Sequence, residues 1–532
     1  MTVAMKTTSM IRDLRLIEGL RGVLIPLSVL AVAVAQGAAP AAAQEGQSFP
    51  EPTVKPIDPP RIDPSAKFID HGSNEEFRKQ FRIGLVIPQT FSLEDQLATY
   101  QKLPVDTQRP MLELGRELFR EGPLQRERNL LGDMNPTMWH LMFYGDWRTA
   151  AGVSDLGNAE VARLATRLNL DIDFQMTATE RIHALVRPFE DGKNLTSWDF
   201  TGEAGGDDGR DNDFNLDVDL DAIFFEGDMG PILQGLTGRR NSLDLPFTFG
   251  KIPLLFQNGV WLEDAFVGAA ATMPALNSPR FDISNMDLTV FAGVDDVSNG
   301  SIKNEGVNLE GGTKMVGAAA FIETRSGYAE AGWGYAVNTG GGPDADTHNL
   351  SAAWTKRYFD FVSNSTRVIV NFGVDSTNGI LLLSENSFRT RQPYTLLPYV
   401  NLFAGVGEPQ SLARDAGAGG VLKNTGINFE ADALTLFPRL DDTGHDKVGG
   451  AVGLEYLPNL FSAKHRSQIV LELAALHSNK QTGGDLGDQV GLGVRYQIAI
   501  ATSWILRADV MTAYVEDGAD ISGIRFEVRK KW

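Results

Sequence analysis

The feature that most constrains this chain is a hydropathy period of two in which the second face is charged as well as polar. From Leu164 to Met176, the side chains Leu164, Thr166, Leu168, Leu170, Ile172, Phe174 and Met176 share one face, and Ala165, Arg167, Asn169, Asp171, Asp173 and Gln175 share the other. Successive side chains of a β-strand point to opposite faces, so this is a strand with an oily side and a wet side. Arg181–Arg187 repeats the pattern, with Ile182, Ala184 and Val186 against Arg181, His183 and Arg187, after a link over 177–180 short enough for a hairpin turn. So do Asn215–Ala222, where Leu216, Val218 and Leu220 oppose Asp217, Asp219 and Asp221, and Gln468–Leu476, where Ile469, Leu471 and Leu473 oppose Glu472. Near the end, Trp504, Leu506, Ala508, Val510 and Tyr514 oppose Arg507 and Asp509. A soluble sandwich alternates too, but it does not repeatedly bury Asp, Arg and His on the remaining faces.

Further strands are expected near Trp139–Thr149, Leu245–Phe256, Phe266–Ala275, Met286–Gly293, Met315–Glu323, Tyr328–Val337, Asn349–Tyr358, Thr366–Phe372, Tyr394–Val406, Val448–Tyr456 and Val490–Ile498. Long Gly-, Asp- and Asn-rich connections separate several of them, at Gly202–Asp213, Asn299–Gly312, Thr339–His348 and Glu408–Asn424. Beyond the first residues no stretch is long and apolar enough for a spanning helix. In lipid every backbone polar group must be paired, which leaves only a closed barrel for an embedded chain of this pattern. Alternating short turns and long loops fit an all-β transmembrane antiparallel barrel with its long loops outside the cell. Allowing about 10 residues per strand and as many per connection gives roughly 16 to 18 strands, a size that leaves room for an aqueous channel.

The N-terminal end sets the compartment. Lys6, Arg12, Arg15 and Arg21 precede the apolar run Gly22–Ala35, and Ala41-Ala42-Ala43 is followed by Gln44. This order reads as a cleavable secretory signal peptide over 1–43. Residues 44–134 read as a Pro-rich lead-in and a periplasmic or pore-associated helical segment. In it, Ser92 and Asp95 resemble a capping box, and Met111, Leu112, Leu114, Leu118 and Phe119 fall on one helical face. The barrel is expected over 135–532. The absence of cysteine excludes a lipidated Cys, a disulfide framework and any Cys-ligated metal. A net charge of −20 argues against a phosphate-neutralising nucleic-acid surface.

The last strand is the most specific signal. Gly523, Phe526 and Val528 form a Gly-x-x-apolar-x-apolar pattern, Ile524 joins the outward face, Arg525, Glu527 and Arg529 point inward, and the sequence ends at Trp532. This resembles the C-terminal strand that the barrel assembly machinery captures in bacterial outer membranes, although Lys530 stands where that family usually has an apolar residue. The region 139–532 as a whole resembles a bacterial porin. The segments 177–184 and 249–256, leading to Asn258-Gly259-Val260-Trp261, are similar to the alginate-export family of barrels. That resemblance implies a channel for solute or polysaccharide in the outer membrane of a Gram-negative cell, with lipid and lipopolysaccharide as surroundings and a homo-oligomer left open. Alginate exporters have an arginine-rich lumen, whereas this chain also places Asp171, Asp173, Asp217, Asp219, Asp221 and Glu472 inward.

The expected pore-lining set is Arg167, Asp171, Asp173, Arg181, His183, Arg187, Asp217, Asp219, Asp221, Glu472, Arg507, Asp509, Arg525, Glu527 and Arg529, with Arg163 beside them. Opposed acidic and basic walls would order water and favour small hydrophilic or charged solutes; cross-strand ion pairs that only stiffen the wall would look the same in sequence. No cofactor is implied. The acidic run 207–213 has the oxygen donors of a loosely bound divalent cation but lacks the calcium-loop pattern, and a solvated loop accounts for it as well. Asp344, Asp346 and His348 pose the same choice. A barrel-embedded hydrolase would need a nucleophile beside a base, and none of His71, His140, His183, His348, His445, His465 or His477 sits in a nucleophile or metal motif. The reading is therefore a channel, not an enzyme.

Overall fold

The computed structural model describes residues 109–115, 139–177, 179–191, 194–201, 212–302, 312–339, 344–393, 395–415, 418–426, 434–458, 467–479 and 486–532. The signal-peptide reading and most of the lead-in lie outside these residues. The described chain is a closed antiparallel β-barrel of 18 strands. In order they are β1 (His140–Asp155), β2 (Glu160–Gln175), β3 (Arg181–Val186), β4 (Leu220–Asp228), β5 (Pro246–Phe256), β6 (Leu262–Ser278), β7 (Ile283–Asp295), β8 (Thr313–Thr324) and β9 (Gly327–Asn338). The second half holds β10 (Asp346–Tyr358), β11 (Val362–Phe372), β12 (Gly379–Phe388), β13 (Leu396–Gly407), β14 (Lys447–Tyr456), β15 (Ser467–Ser478), β16 (Gln489–Ala501), β17 (Trp504–Val515) and β18 (Ile521–Lys531). Each pairs with the next, and β18 returns to β1 in a ladder from Asp146↔Lys531 to Asp155↔Ser522. Closure removes the free edges that would leave backbone groups unpaired in hydrocarbon.

The period of two reappears as alternating burial. On β14, Val452 is 58% exposed and its neighbour Ala451 1%; on β18, Phe526 is 60% exposed and Arg525 1%. Val406, Leu402, Leu473, Leu492, Val510 and Ile524 continue an exposed apolar belt around the outside. Aromatic rings gather toward the end where β1 begins, with Phe225, Phe247 and Phe249 in mutual contact and Lys530 over Trp504. Rings at this level suit a membrane–water boundary.

Strand direction sorts the connections by end. The long stretches read from sequence, within 187–219, 296–312, 339–345 and 408–446, all follow odd-numbered strands and so share one end. Turns such as 325–326 and 502–503 lie at the other. That turn end also carries a helix not expected from sequence, α1 (Met229–Thr237). Asp228 caps it by accepting from the Gly230 amide at 3.0 Å, and Gly238 ends it in the left-handed region at φ 65.

Three readings change. Residues 112–115, placed on a helix by spacing alone, form a strand (Leu112–Gly115) that pairs with His140–Phe143 of β1. Four residues are too few for periodicity to separate helix from strand, and the unpaired edge of β1 below the end of β18 decides the matter. The strand expected from Asn215 begins only at Leu220, because the Asp219 amide turns onto the Asp217 carboxylate at 2.9 Å and a register shift opposite Leu185/Val186 sets Asp221 apart. The strand β12 was not read at all. Its run Ile380-Leu381-Leu382-Leu383 breaks the oily/wet alternation because Leu381 and Leu383, each 1% exposed, meet an apolar core inside the barrel.

Candidate functional site

The inner faces of β16, β17, β18, β1, β2 and β3 form one continuous charged wall. At its centre Asp509 accepts from three guanidinium groups: Arg495 at 2.7 Å, Arg507 at 2.8 Å and Arg525 at 2.6 Å. Next to it Arg148 grips Glu527 with two bonds, 2.6 and 3.1 Å, and Arg529 reaches Asp146 at 2.8 Å. Two-pronged guanidinium–carboxylate contacts fix both planes, which is why arginine and not lysine recurs here. The row continues through Arg167–Glu190 at 2.8 Å, Arg187 between Glu190 and Asp221 at 3.8 and 3.6 Å, and Arg163–Asp199 at 3.9 Å.

Toward the turn end, Arg181 joins Glu226 at 2.6 Å and Asp173 at 3.4 Å, and His183 lies 3.3 Å from Asp171. The His183 ring stacks on Phe224 with centroids 5.2 Å apart. The sequence-derived residues other than Asp217, Asp219 and Glu472 thus come together on one wall with unequal access. Arg181 is half exposed, and Arg187, Asp221 and Arg529 are partly exposed. Glu472, Asp509, Arg525 and Glu527 are buried among their partners. Asp217 and Asp219 stand apart from the row, on the irregular approach to β4. Sequence reasoning missed Asp146, Arg148, Glu190, Glu226 and Arg495. The inner face of β1 also carries Met142 and Tyr144, which blur its polar parity, and Glu190 lies past the strand that was read.

The opposite wall carries a different chemistry and an inserted connection. The segment 408–446, described over 408–415, 418–426 and 434–446, folds inward. Leu412, fully buried, donates its amide to the Trp261 carbonyl at 2.8 Å and packs where a side chain on Gly334 would sit. Asn349 donates to the Gln410 carbonyl at 2.7 Å, and Asn371 accepts from the Gln410 amide at 3.0 Å. Ala413 pairs in parallel with Leu262, and Arg414 reaches Glu263 at 3.2 Å. Further on, Leu422 joins Leu381 and Leu383 in the inner apolar core, Leu434 clusters with Ala150, Ala165 and Leu195, and Phe437 lies 5.1 Å under the Arg525 guanidinium. The segment therefore touches walls on facing sides and narrows the space between them.

Two carboxyls near its end are held differently. Burial pushes Asp442 up despite Arg439 at 3.0 Å; burial also acts on Asp441, but hydrogen bonds from Thr443 and Lys447 outweigh it and hold that group below the ordinary range.

Tyr399 of β13 donates to Glu472 at 2.6 Å and covers Gly453, leaving no room for a Cβ. Gly453→Val should therefore tilt the ring off Glu472 and lower barrel stability by about 1–3 kcal/mol, seen as a lower transition temperature of the heat-modifiable band on cold gels; an unchanged transition would contradict this packing.

The acidic run 207–213 lies outside the described residues apart from the backbone of Asn212–Asp213, so its cation reading is not placed. His348 sits between Tyr335 and Phe372, at 4.8 and 5.4 Å, as part of an aromatic group.

No family model matches the chain, and no curated protein matches it in sequence. Among solved structures it is similar to OccK11 (OpdR) of Pseudomonas aeruginosa, at 10% identity and a TM-score of 0.47, covering 74% of this chain and 95% of that one. It is similar also to OccK1 (OpdK) of the same organism, at 13% identity and a TM-score of 0.47 over 74% and 98% of the two chains. A BenF-like porin from Pseudomonas fluorescens Pf-5 aligns at 9% identity and a TM-score of 0.47, over 74% and 98%.

Proposed function

We propose that this chain is an outer-membrane channel of the porin kind, through which small hydrophilic or charged solutes diffuse. One observation carries the reading: a closed 18-strand sheet has an apolar outer belt, while its inner face carries a row of arginines and carboxylates narrowed by an inserted segment. Such an apolar belt is kept from water in a bilayer, where the closed sheet leaves no strand edge unpaired, and the inner charges stay ionised through their partners or through water in the lumen. The long-loop end then faces outward and the turn end faces the periplasm.

Within this reading the half-exposed Arg181, with Arg187, Asp221 and Arg529, meets the passing solute, and the buried Asp509, Arg525 and Glu527 hold the wall in shape. The export of an anionic polymer draws less support, because the wall arginines already face carboxylates at 2.6 to 3.9 Å. We assign delivery to the signal peptide over 1–43, and capture by the assembly machinery to Gly523, Phe526, Val528 and Trp532, whose outward members Phe526 and Val528 are 60% and 40% exposed.

Purified protein in planar bilayers should give stable conductance steps. Reversing Arg181 and Arg187 together to Glu should raise the cation-to-anion permeability ratio by roughly two- to fivefold at low salt. Folded, inserted protein that shows no steps would overturn the channel; steps with unaltered selectivity would remove those two arginines from the path.

A further inference from the structure

The wall facing the row of paired arginines and carboxylates holds a recess whose charged lining residues are acidic. A cavity of about 230 Å³ is lined by Phe256, Gln257, Trp261, Phe321, Asp287 and Glu330, with Thr272 and Thr289 hydrogen-bonded to each other at 2.9 Å on its wall. Among the described residues no lysine or arginine lines it. Gln257 is only 6% exposed; its amide Nε2 donates to Ser351 at 2.7 Å, while its Oε1 is buried with no hydrogen-bond partner. An acceptor left without a donor in a buried place is energetically unfavourable, and a ligand N–H would relieve it. Gln257 also holds a left-handed backbone at φ 54, which a residue with a Cβ adopts only when its surroundings enforce it.

We propose that this recess is a binding site for an organic cation, a primary ammonium or guanidinium group on an aromatic or aliphatic body, on its way through the channel. The carboxylates of Asp287 and Glu330 supply the counter-charge, the Gln257 Oε1 accepts one N–H once its side chain turns out of its buried position, and the rings of Phe256 and Phe321 receive the body and the face of the cation, with the fully buried Trp261 packed behind them. The nearest guanidinium, Arg367, lies 3.9 Å from Glu330 but is engaged more closely by Glu385 at 3.1 Å, so the recess keeps a net negative charge. Trp261 is fixed from behind by its Nε1 bond to Asn349 at 2.9 Å, which keeps the aromatic wall in place before any solute arrives.

This assignment rests on the channel reading but can fail separately from it. Phenethylammonium and its anionic counterpart phenylpropionate are titrated by calorimetry into the detergent-solubilised full chain, and each is tested as a blocker of the ionic current. The cation should bind at least tenfold more tightly than the anion, and Glu330→Gln and Gln257→Leu should each weaken it by roughly tenfold while leaving the anion unaffected. Equal affinities of the two probes for the unaltered protein, or variants that retain full affinity, would overturn the site while conductance persists. Selective binding without conductance would keep the site and remove the channel.

Discussion

Replacing Asp509 with Ala should destabilise the barrel by about 3–5 kcal/mol, the cost of stripping a buried charge of its partner. Three guanidinium groups, those of Arg495, Arg507 and Arg525, converge on this carboxylate within 2.8 Å, and both Asp509 and Arg525 are 1% exposed. Without the anion, like charges would face one another with little water to screen them. Asp509→Asn keeps some hydrogen bonding but not the charge, so its loss should fall between wild type and Ala. Urea unfolding in detergent, followed by tryptophan fluorescence, gives the ordering; an Ala variant as stable as wild type would show that water already reaches this cluster and that the row is looser than the distances indicate.

The second large effect is expected at the inserted segment. Leu412→Asp places a charge at a fully buried position against Trp261 and the bare backbone of Gly334. Truncating a buried leucine alone removes about 2–5 kcal/mol, and a buried, unpaired carboxylate adds to that. A shift of about 3 kcal/mol changes the docked-to-undocked ratio by over a hundredfold. The segment should leave the wall, and the single-channel current should rise in amplitude and in open-state noise. Leu412→Met, similar in volume, should leave both unaltered. A Leu412→Asp channel with the wild-type current would mean that 408–415 does not limit flow.

The parts of the fold legible in sequence were those where one strand face meets hydrocarbon and the other meets water. Leu164–Met176 and the last strand obey that rule, and their charged positions were identified from parity alone. The rule fails where a third environment intrudes. On β12, Leu381 and Leu383 face inward yet are apolar, because the segment arriving at Leu422 gives them a dry neighbour. Nothing local announces that contact, since it depends on residues some forty positions away in the chain. Charge partners were legible only in part for the same reason. Arg167 was found from its strand, but its carboxylate, Glu190, lies beyond the end of β3 and is brought alongside by the return of Asn194–Asp199 along β2. The acidic–aromatic recess left no signature, as its residues come from β5 to β9 and each looks ordinary alone.

The first wall strand is finished last. One edge of β1 pairs at once with its hairpin neighbour β2, whereas the other waits for residues at the far end of the chain, as the Arg148–Glu527 bond across 379 positions records. Below that ladder the same edge is continued by Leu112–Gly115, so an upstream stretch and the terminal strand abut along a single line. Until β18 pairs with it, that edge offers unpaired amides and carbonyls to any passing strand. The closing seam therefore joins the pair of strands most distant in sequence, whatever solute the finished barrel conducts.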